Sequence, residues 1–586
     1  MSNVTTKRVA QRSKRPVNKM APATKTPVPS SLPTAPERWF QSPAQQRWFL
    51  LLLATGCLLP FLHKAFNIDD PLFLWAAKHI VQHPLDPYGF PVVWYRTSMP
   101  MSEVMKNPPL ASYLLAFVGS WAGWSEPVLH FTFLLPAVAA ILAIHQLARE
   151  MTRSPLISAI ATIATPVFLI SATSVMCDIP MLALWLSAII FWRKGIHEEK
   201  WTWLASAGVL IGVCSLTKYF GVCLIPLLLL YSIWNKRRVG LWSLYFLIPV
   251  AMLIAYQLWT GSLYENGLLS GLTDYVSEAR GDHPSSLPAN LLVGLSFTGG
   301  CALPALLLIP CLWSRRWVIA ASVFAVLGAA AIVFSWVGTE IPFPHPHEIL
   351  LGIQLALFLL GAASTFSLAF DDFRQNRDSD SVLLLAWVIG TFIFAAFLNW
   401  TVNGRSVLPM IPAVALLVTR RLERVQAGKS TRAIHAALAL SLVLSLWITG
   451  GDTALANSAR NAAVEIHNRA ANEGKRVLFT GHWGFQYYMQ NLGGVPVDPL
   501  QVEATILDIV VIPHNNSNAD IGLHASGPDA TITTKMHAYV TTMGGDVGAG
   551  FYSSIWGQLP YAFAPVPDET YELVPVRGIT PESQGR

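Results

Sequence analysis

Cysteine is scarce in this sequence and unevenly distributed. Only six of the 586 residues are cysteines, and none follows Cys311. No pair has CxxC spacing and no Cys/His cluster has the spacing of metal ligands, so a structural zinc site is not supported. The part of the chain after Cys311 has no disulfide, wherever it is located.

Charged residues are also few. They make up 13% of the chain, against 53% hydrophobic residues and 21 tryptophans, which is more apolar than a soluble core of this size requires. Apolar runs recur from Trp48 to Ile448, many of them close to the ~20 residues that span a bilayer. The sequence after Gly450 is typical of a soluble domain. The pattern predicts an all-α polytopic membrane domain over residues 47–450 and a small soluble α/β domain over residues 451–586.

Positive charge is concentrated at one end of the chain. Residues 1–47 contain nine Lys/Arg and one acid, Glu37, so the net charge of +6 does not indicate a nucleic-acid surface. The Pro/Thr/Ser-rich run from Pro22 to Pro36 cannot bury enough apolar surface to fold. Residues 1–46 are predicted to be a disordered cytoplasmic tail that orients the first helix. A removable signal peptide is not expected, because an apolar h-region with a small-residue cleavage site is missing.

The basic loops predict a topology. If loops rich in Lys and Arg are cytoplasmic, every second loop fits inside. The segment Pro108–Trp124 looks long enough to cross, but counting it would place all later basic loops outside. It is therefore interpreted as a re-entrant or interfacial helix, which leaves about thirteen transmembrane helices.

Unusual ionisable residues gather on the predicted outer side. Such residues are costly at membrane depth and tend to face a cavity or a partner, so a shared outer site is predicted. The group consists of Asp69, Asp70, Asp178, Lys218, Glu340, His345, His347 and Arg405.

Structural interpretations compete with this prediction. Asp69 and Asp178 each stand where a helix is expected to begin, so either can serve as an N-terminal cap. Lys218 and Arg405 can extend toward the membrane surface at a helix end without binding a ligand.

Two further outer segments have open interpretations. The stretch from Pro342 to Glu348 contains two histidines, but its alternating prolines and incomplete ligand set do not support a metal site. A divalent cation is left open as a cofactor. The polar loop Trp259–Ala289 is too long for a tight turn and is interpreted as a lid over a sugar or as a solvated loop.

Five short motifs occur in a fixed order on the outer side. They are Asp69-Asp70, Asn107-Pro108-Pro109-Leu110, Asp178-Ile179-Pro180, Thr217-Lys218-Tyr219-Phe220-Gly221, and the run from Asn403 to Pro412 that contains Arg405. In this order they resemble the GT-C glycosyltransferases, in the branch that holds the protein O-mannosyltransferases and the lipid A aminoarabinose transferase. The resemblance covers roughly residues 45–450.

This resemblance implies a GT-C fold and transfer of a sugar from a polyprenyl-phosphate lipid, with inversion at the anomeric carbon. Members usually carry an Asp-Glu pair in the first loop, and its Asp is the proposed base. By position, Asp69 becomes the catalytic base. Asp70 replaces the usual Glu with a side chain one methylene shorter, so its role, as a support or a metal contact, stays open.

The reaction requires a base near the acceptor hydroxyl and cations near the departing phosphate. Lys218 and Arg405 are the outer-side cations predicted to bind that phosphate, Arg405 with bidentate geometry and Lys218 as a point charge. Asp178 is predicted to position the acceptor or to hold the active-site loop.

The C-terminal pattern predicts a small α/β domain. Strands are expected at Lys475–Thr480, Gly494–Val497 and Ile509–Pro513, and a helix at His482–Asn491. The segment 481–484 lacks GxGxxG spacing, so no dinucleotide site is predicted. The domain is expected outside, where it either restricts the acceptor or caps the membrane domain.

The leading prediction is a membrane glycosyltransferase that acts on a lipid, glycan or protein acceptor at the extracytoplasmic face. A bacterial inner membrane, with the site and the C-terminal domain in the periplasm, fits best. A transporter or flippase of lipid-linked or polar solutes is the alternative. Such a protein would place ionisable residues near the bilayer midplane and often has repeated halves, whereas here they cluster at outer helix ends and no clear repeat is found.

Overall fold

A computed structural model of the protein describes residues 42–95, 97–271, 286–425, 431–498, 508–517 and 530–575. The predicted N-terminal tail lies outside this range. Within it, the first half of the chain folds into helices with one short β-hairpin. These elements are α1 (Pro43–Leu58), α2 (Asp70–Gln82), β1 (Pro91–Tyr95), β2 (Thr97–Pro100), α3 (Met101–Val104), α4 (Leu110–Ala122), α5 (Glu126–Met151), α6 (Pro155–Ile163), α7 (Pro166–Ala172), α8 (Asp178–Glu198), α9 (Trp201–Thr217), α10 (Leu224–Lys236) and α11 (Leu247–Gly261).

The second half continues the helical body and ends in strands. Its helices are α12 (Leu287–Cys301), α13 (Leu303–Leu307), α14 (Ile309–Leu312), α15 (Arg315–Val333), α16 (Glu348–Asn376), α17 (Ser379–Ile393), α18 (Gly404–Val407), α19 (Ile411–Val425), α20 (Thr431–Glu473) and α21 (Trp483–Asn491). The strands are β3 (Arg476–Phe479), β4 (Val495–Pro496), β5 (Asp508–Pro513), β6 (Ala530–Thr534), β7 (Val540–Thr541), β8 (Met543–Gly544), β9 (Ala549–Gly550), β10 (Ala562–Phe563) and β11 (Glu569–Pro575).

The polytopic all-α membrane domain predicted from the apolar runs is confirmed. Among the described residues, eight helices are long and apolar enough to cross a bilayer, or nine if the bent pair α6–α7 is one span. The expected figure of about thirteen is larger because several apolar runs form short or broken helices. Helices α9 and α12 have 17 and 15 residues, and α6 meets α7 at 65° just before Pro166.

The segment Pro108–Trp124 contains a helix that is too short to span. Helix α4 has 13 residues, which corresponds to ~20 Å at the α-helical rise, against a hydrocarbon core of ~30 Å. It packs along α2, the helix of the first predicted outer loop. Its length agrees with the interpretation as a re-entrant or interfacial helix.

The last long helix joins the membrane domain to the C-terminal domain without a break. Helix α20 has 43 residues, so the boundary expected after Gly450 falls inside it. Within this helix, Gly451 lies close to Val540: a Cβ there would be 2.6 Å from the Val540 carbonyl oxygen.

The C-terminal α/β domain is confirmed. A five-stranded mixed sheet has the order β4-β3-β5-β11-β6, with β3 parallel to β4 and β5 and with β11 antiparallel to β5 and β6. The end of α20 and helix α21 cover one face of the sheet, where Ala463, Ile466, Phe479 and Phe485 form a separate small core.

A long connection leaves this sheet between its neighbouring strands β6 and β11. We call residues 535–568 the C-terminal excursion. Its apolar residues Val540, Phe551, Tyr561 and Ala562 belong to the core of the membrane helices and not to the core of the sheet. Hydrogen bonds fix it there, among them one from the Tyr561 hydroxyl to the carbonyl of Gly300 at 2.9 Å. The C-terminal region is therefore joined to the membrane domain by packing as well as by chain connectivity.

Candidate active site

The acid pair predicted as catalytic lies at the start of α2. The preceding residue, Ile68, has a backbone φ of 51°, a strained value for a β-branched residue. Strain of this kind is held in place by surrounding structure and concentrates at functional sites. The two acids that follow Ile68 have different environments, and the difference separates their roles.

Asp69 occupies the N-cap position of α2, yet its side chain makes no capping hydrogen bond within the described part of the chain. It instead accepts a hydrogen bond from Arg405, with 2.7 Å between Oδ2 and Nη2. The Asp69 side chain is 28% exposed. Of the two acids, Asp69 is the one that a substrate can reach.

Asp70 is fully buried and faces the protein interior. Its carboxylate accepts hydrogen bonds from the backbone amides of Asn67 at 3.0 Å and Val175 at 2.9 Å. Burial raises the pKa of Asp70 to about 7, although the nearby Lys64 ammonium and the two amides oppose the shift. Asp70 therefore ties the start of α2 to the segment that leads into α8.

Asp178 is the first residue of α8 and lies between two cations. Lys218 Nζ is 2.5 Å from its Oδ1, and Arg405 Nη1 is 3.9 Å from its Oδ2. The Asp178 side chain is fully buried, whereas Lys218 and Arg405 retain 18% and 16% exposure. Both cations thus point at carboxylates, and this geometry differs from simple extension toward a membrane surface.

Four of the five predicted site residues therefore form one chain of alternating charge. In the order Asp69, Arg405, Asp178 and Lys218, every neighbour is oppositely charged, and the four residues come from four separate segments. Asp178 Oδ2 is buried and makes no hydrogen bond to any described residue. We call these four residues the charge cluster. It combines an accessible carboxylate, which can abstract a proton, with two partly exposed cations, which can bind an anion beside it.

His345, another ionisable residue predicted on the outer side, has a different partner. His345 is 3.9 Å from Glu348, and Pro344 beside it packs against Gly548 of the C-terminal excursion. In the described ranges, no group of three or more His, Cys, Asp or Glu side chains is placed to hold a metal ion. Residues 272–285 of the loop interpreted as a lid lie outside the described residues. Near its start, Tyr264 donates a hydrogen bond to Asp86 at 2.7 Å, so this part packs on the first outer loop.

Sequence reasoning missed three residues beside the cluster. Arg405 lies over the Tyr552 ring, with 5.8 Å between the guanidinium carbon and the ring centroid. Behind the ring, Lys64 and Asp452 form a fully buried ion pair with a separation of 2.6 Å. An acid just after the last apolar run was the available signal for Asp452, whereas nothing local distinguishes Tyr552 from the other aromatic residues.

One segment of the chain, which contains part of this site, matches a known protein family. Residues 106–259 match the dolichyl-phosphate-mannose-protein mannosyltransferase family, and this segment contains Asp178 and Lys218. The resemblance to GT-C glycosyltransferases is confirmed. No curated protein matches the chain.

Two solved structures are similar to the chain. The crystal structure of ArnT from Cupriavidus metallidurans bound to undecaprenyl phosphate has 15% sequence identity and a TM-score of 0.38, and the match covers 81% of this chain and 93% of ArnT. The apo structure of the same protein has 16% identity and a TM-score of 0.38, with coverage of 80% and 93%. The family match supports a membrane glycosyltransferase of the GT-C type.

Proposed function

We propose that this protein transfers a sugar from a polyprenyl-phosphate donor to a hydroxyl of a lipid, glycan or protein acceptor. The reaction takes place at the extracytoplasmic face, which in a bacterial inner membrane is the periplasmic side. The observation that carries the proposal is the charge cluster, in which a partly exposed carboxylate adjoins two cations. The family match over residues 106–259 supports the same reaction class.

In this mechanism the acceptor hydroxyl oxygen attacks the anomeric carbon of the donor. The bond from that carbon to the phosphate oxygen breaks, and the lipid phosphate leaves with the electron pair. The configuration at the carbon is inverted because attack and departure occur on opposite faces. Asp69 takes the hydroxyl proton, a contribution of ~10²–10⁴ in rate for a typical general base.

Arg405 and Lys218 stabilise the leaving phosphate. Charge grows on the phosphate oxygens as the bond breaks, and fixed cations are most effective where charge develops. The Arg405 guanidinium can hold two oxygens at once, whereas the Lys218 ammonium acts as a point charge. Asp178 holds both cations in place, at 3.9 Å and 2.5 Å.

The ion pair between Asp69 and Arg405 couples the two parts of the site. A donor phosphate that engages Arg405 competes with Asp69 for the guanidinium, and this competition frees the Asp69 carboxylate to contact the acceptor hydroxyl. Asp70, buried on the amides of Asn67 and Val175, supports the loop without touching substrate.

The test is transfer of radiolabelled sugar from synthetic polyprenyl-phosphate donors in proteoliposomes, with donor binding measured separately. Asp69→Asn is expected to lower product formation by ~10²–10⁴ while donor binding is retained. Glu199→Gln is the matched control, since Glu199 is 76% exposed and lies at the far end of α8. Equal product from wild type and Asp69→Asn would remove the base role. Movement of labelled donor across the bilayer with no transfer would favour the transporter or flippase alternative.

A further inference from the structure

Asp452 is a buried acid in the middle of the longest helix. It has no solvent exposure, and it accepts hydrogen bonds from the Thr542 hydroxyl at 2.6 Å and from the Tyr552 hydroxyl at 2.9 Å to Oδ1. Its other oxygen forms the ion pair with Lys64 at 2.6 Å. Burying such a pair is costly unless further hydrogen bonds satisfy the charges. Two of the donors that do so, Thr542 and Tyr552, belong to the C-terminal excursion.

The same part of the excursion encloses Arg405. The amide of Gly404 donates to the carbonyl of Phe551 at 2.7 Å, and the amide of Ser554 donates to the carbonyl of Val402 at 2.8 Å. A Cβ on Gly404 would lie 2.5 Å from the Phe551 ring, so no side chain fits between Gly404 and Phe551. Tyr552, between these two contacts, presents its ring face to the Arg405 guanidinium.

Tyr552 therefore has two partners on opposite parts of its side chain. The hydroxyl is bound by Asp452, and the ring lies against Arg405, which in turn pairs with Asp69. A guanidinium over an aromatic face is held by attraction to the ring quadrupole, and the contact keeps the planar group in one orientation. A phosphate ligand requires that orientation to meet both guanidinium nitrogens.

We propose that Tyr552 is a positioning residue for Arg405, anchored by the buried Lys64–Asp452 pair, so that the C-terminal excursion forms a wall of the donor site. This inference rests on the proposed function, because it takes Arg405 to be the phosphate ligand. It assigns the C-terminal region a direct part in donor binding, in place of the cap or acceptor filter expected from sequence.

The test is a double-mutant cycle on binding of polyprenyl phosphate, measured in detergent with the full chain. Tyr552→Leu is expected to weaken binding by about 2- to 30-fold, the range that corresponds to a cation–π contact. In an Arg405→Gln background, which removes the cation, the same substitution is expected to change binding by less than about twofold, because its effect is transmitted through Arg405. Tyr539→Leu is the matched control, since Tyr539 is 61% exposed in the same excursion, and it should leave binding unchanged.

If Tyr552→Leu weakened binding equally in both backgrounds, so that the losses were additive, the inference would be overturned. Such a result would indicate a general loosening of the fold that does not depend on Arg405. Tyr552→Phe keeps the ring and removes only the hydroxyl, so it should bind more tightly than Tyr552→Leu; if the Leu variant does not fold, Tyr552→Phe enters the same cycle. Lack of binding by the wild type would overturn the proposed function and the inference together. Wild-type binding with additive losses would overturn the inference alone.

Discussion

Asp69 and Arg405 lie 336 positions apart in the chain and are joined by a hydrogen-bonded ion pair of 2.7 Å. The pair connects the start of α2 to the short helix α18, near the end of the membrane domain. Both side chains remain partly exposed, so an anion can compete for the guanidinium without unfolding anything. The pair is therefore suited to be opened by substrate, unlike the completely buried Lys64–Asp452 pair.

Arg405→Lys keeps the positive charge but loses the planar fork that serves Asp69 and Asp178 together. An ammonium on a shorter, flexible side chain cannot hold both carboxylates and two phosphate oxygens in one plane. We expect kcat/KM for the polyprenyl-phosphate donor to fall at least about tenfold. Arg469→Lys is the control, because Arg469 is 45% exposed and pairs only along its own helix with Glu473. Wild-type turnover by Arg405→Lys would show that charge alone is sufficient.

Lys218→Met should destabilise the protein because it leaves the buried Asp178 carboxylate with Arg405 as its remaining cation, at 3.9 Å. Removing one partner of a buried ion pair typically costs about 3–5 kcal/mol. The measurement is thermal unfolding in detergent. Lys200→Met is a matched control, since the pair between Lys200 and Glu198 is exposed at the surface and should contribute about 0–1 kcal/mol. Equal shifts in the two variants would mean that Lys218 does not stabilise Asp178.

Local pattern predicted most of the fold. The strands expected at Lys475–Thr480 and Ile509–Pro513 are observed at Arg476–Phe479 and Asp508–Pro513. Short alternating or apolar runs between turn residues are typical of strands. The charge cluster was predictable for a related reason. Ionisable residues at apolar helix ends need partners, and the basic loops predict one shared side of the membrane for them, so contact among them was expected.

Long-range packing was not predictable from the same patterns. The contact of Tyr552 with Arg405 depends on an excursion that leaves the sheet and returns, and no local signal encodes its path. The sequence after Gly450 is typical of a soluble domain, whereas the helix continues past this point, and Gly451 allows Val540 to approach it closely. Among the described residues, eight or nine helices are long and apolar enough to span, against about thirteen expected, because apolar content does not reveal where a run breaks into short helices.

Stability of the C-terminal domain should depend on pH through Glu569. Burial raises the pKa of Glu569 to about 7, although the hydrogen bond from Asn515 Nδ2 at 2.7 Å opposes the shift. A carboxyl whose pKa is higher in the folded than in the unfolded state binds more protons when folded. Stability is then greatest below the usual pKa of 4.5 and decreases as pH rises toward 7.

Glu569→Gln removes this titration and keeps an oxygen to accept from Asn515. We expect the wild type to lose stability between pH 5 and pH 8, with a full contribution on the order of 3 kcal/mol, and the variant to lose less. The measurement is the unfolding midpoint in detergent across that range, with the exposed Glu199→Gln as control. Parallel pH profiles of wild type and Glu569→Gln would exclude Glu569 as the source.

The crossing of α12 and α16 should tolerate no side chain at Gly299. A Cβ built there would be 1.7 Å from the carbonyl oxygen of Phe358, so Gly299→Ala must push the two helices apart. Close helix pairs in membranes depend on small residues for their packing, and overpacking costs about 1–3 kcal/mol or more. Gly390→Ala is the control within α17, because its Cβ would meet no described atom within 4 Å and alanine favours the helix by up to about 1 kcal/mol. In detergent, the midpoint of thermal unfolding should therefore fall for Gly299→Ala. For Gly390→Ala it should stay the same or rise slightly. If the two substitutions lowered the midpoint equally, the loss would reflect glycine in a helix in general and not the contact between α12 and α16.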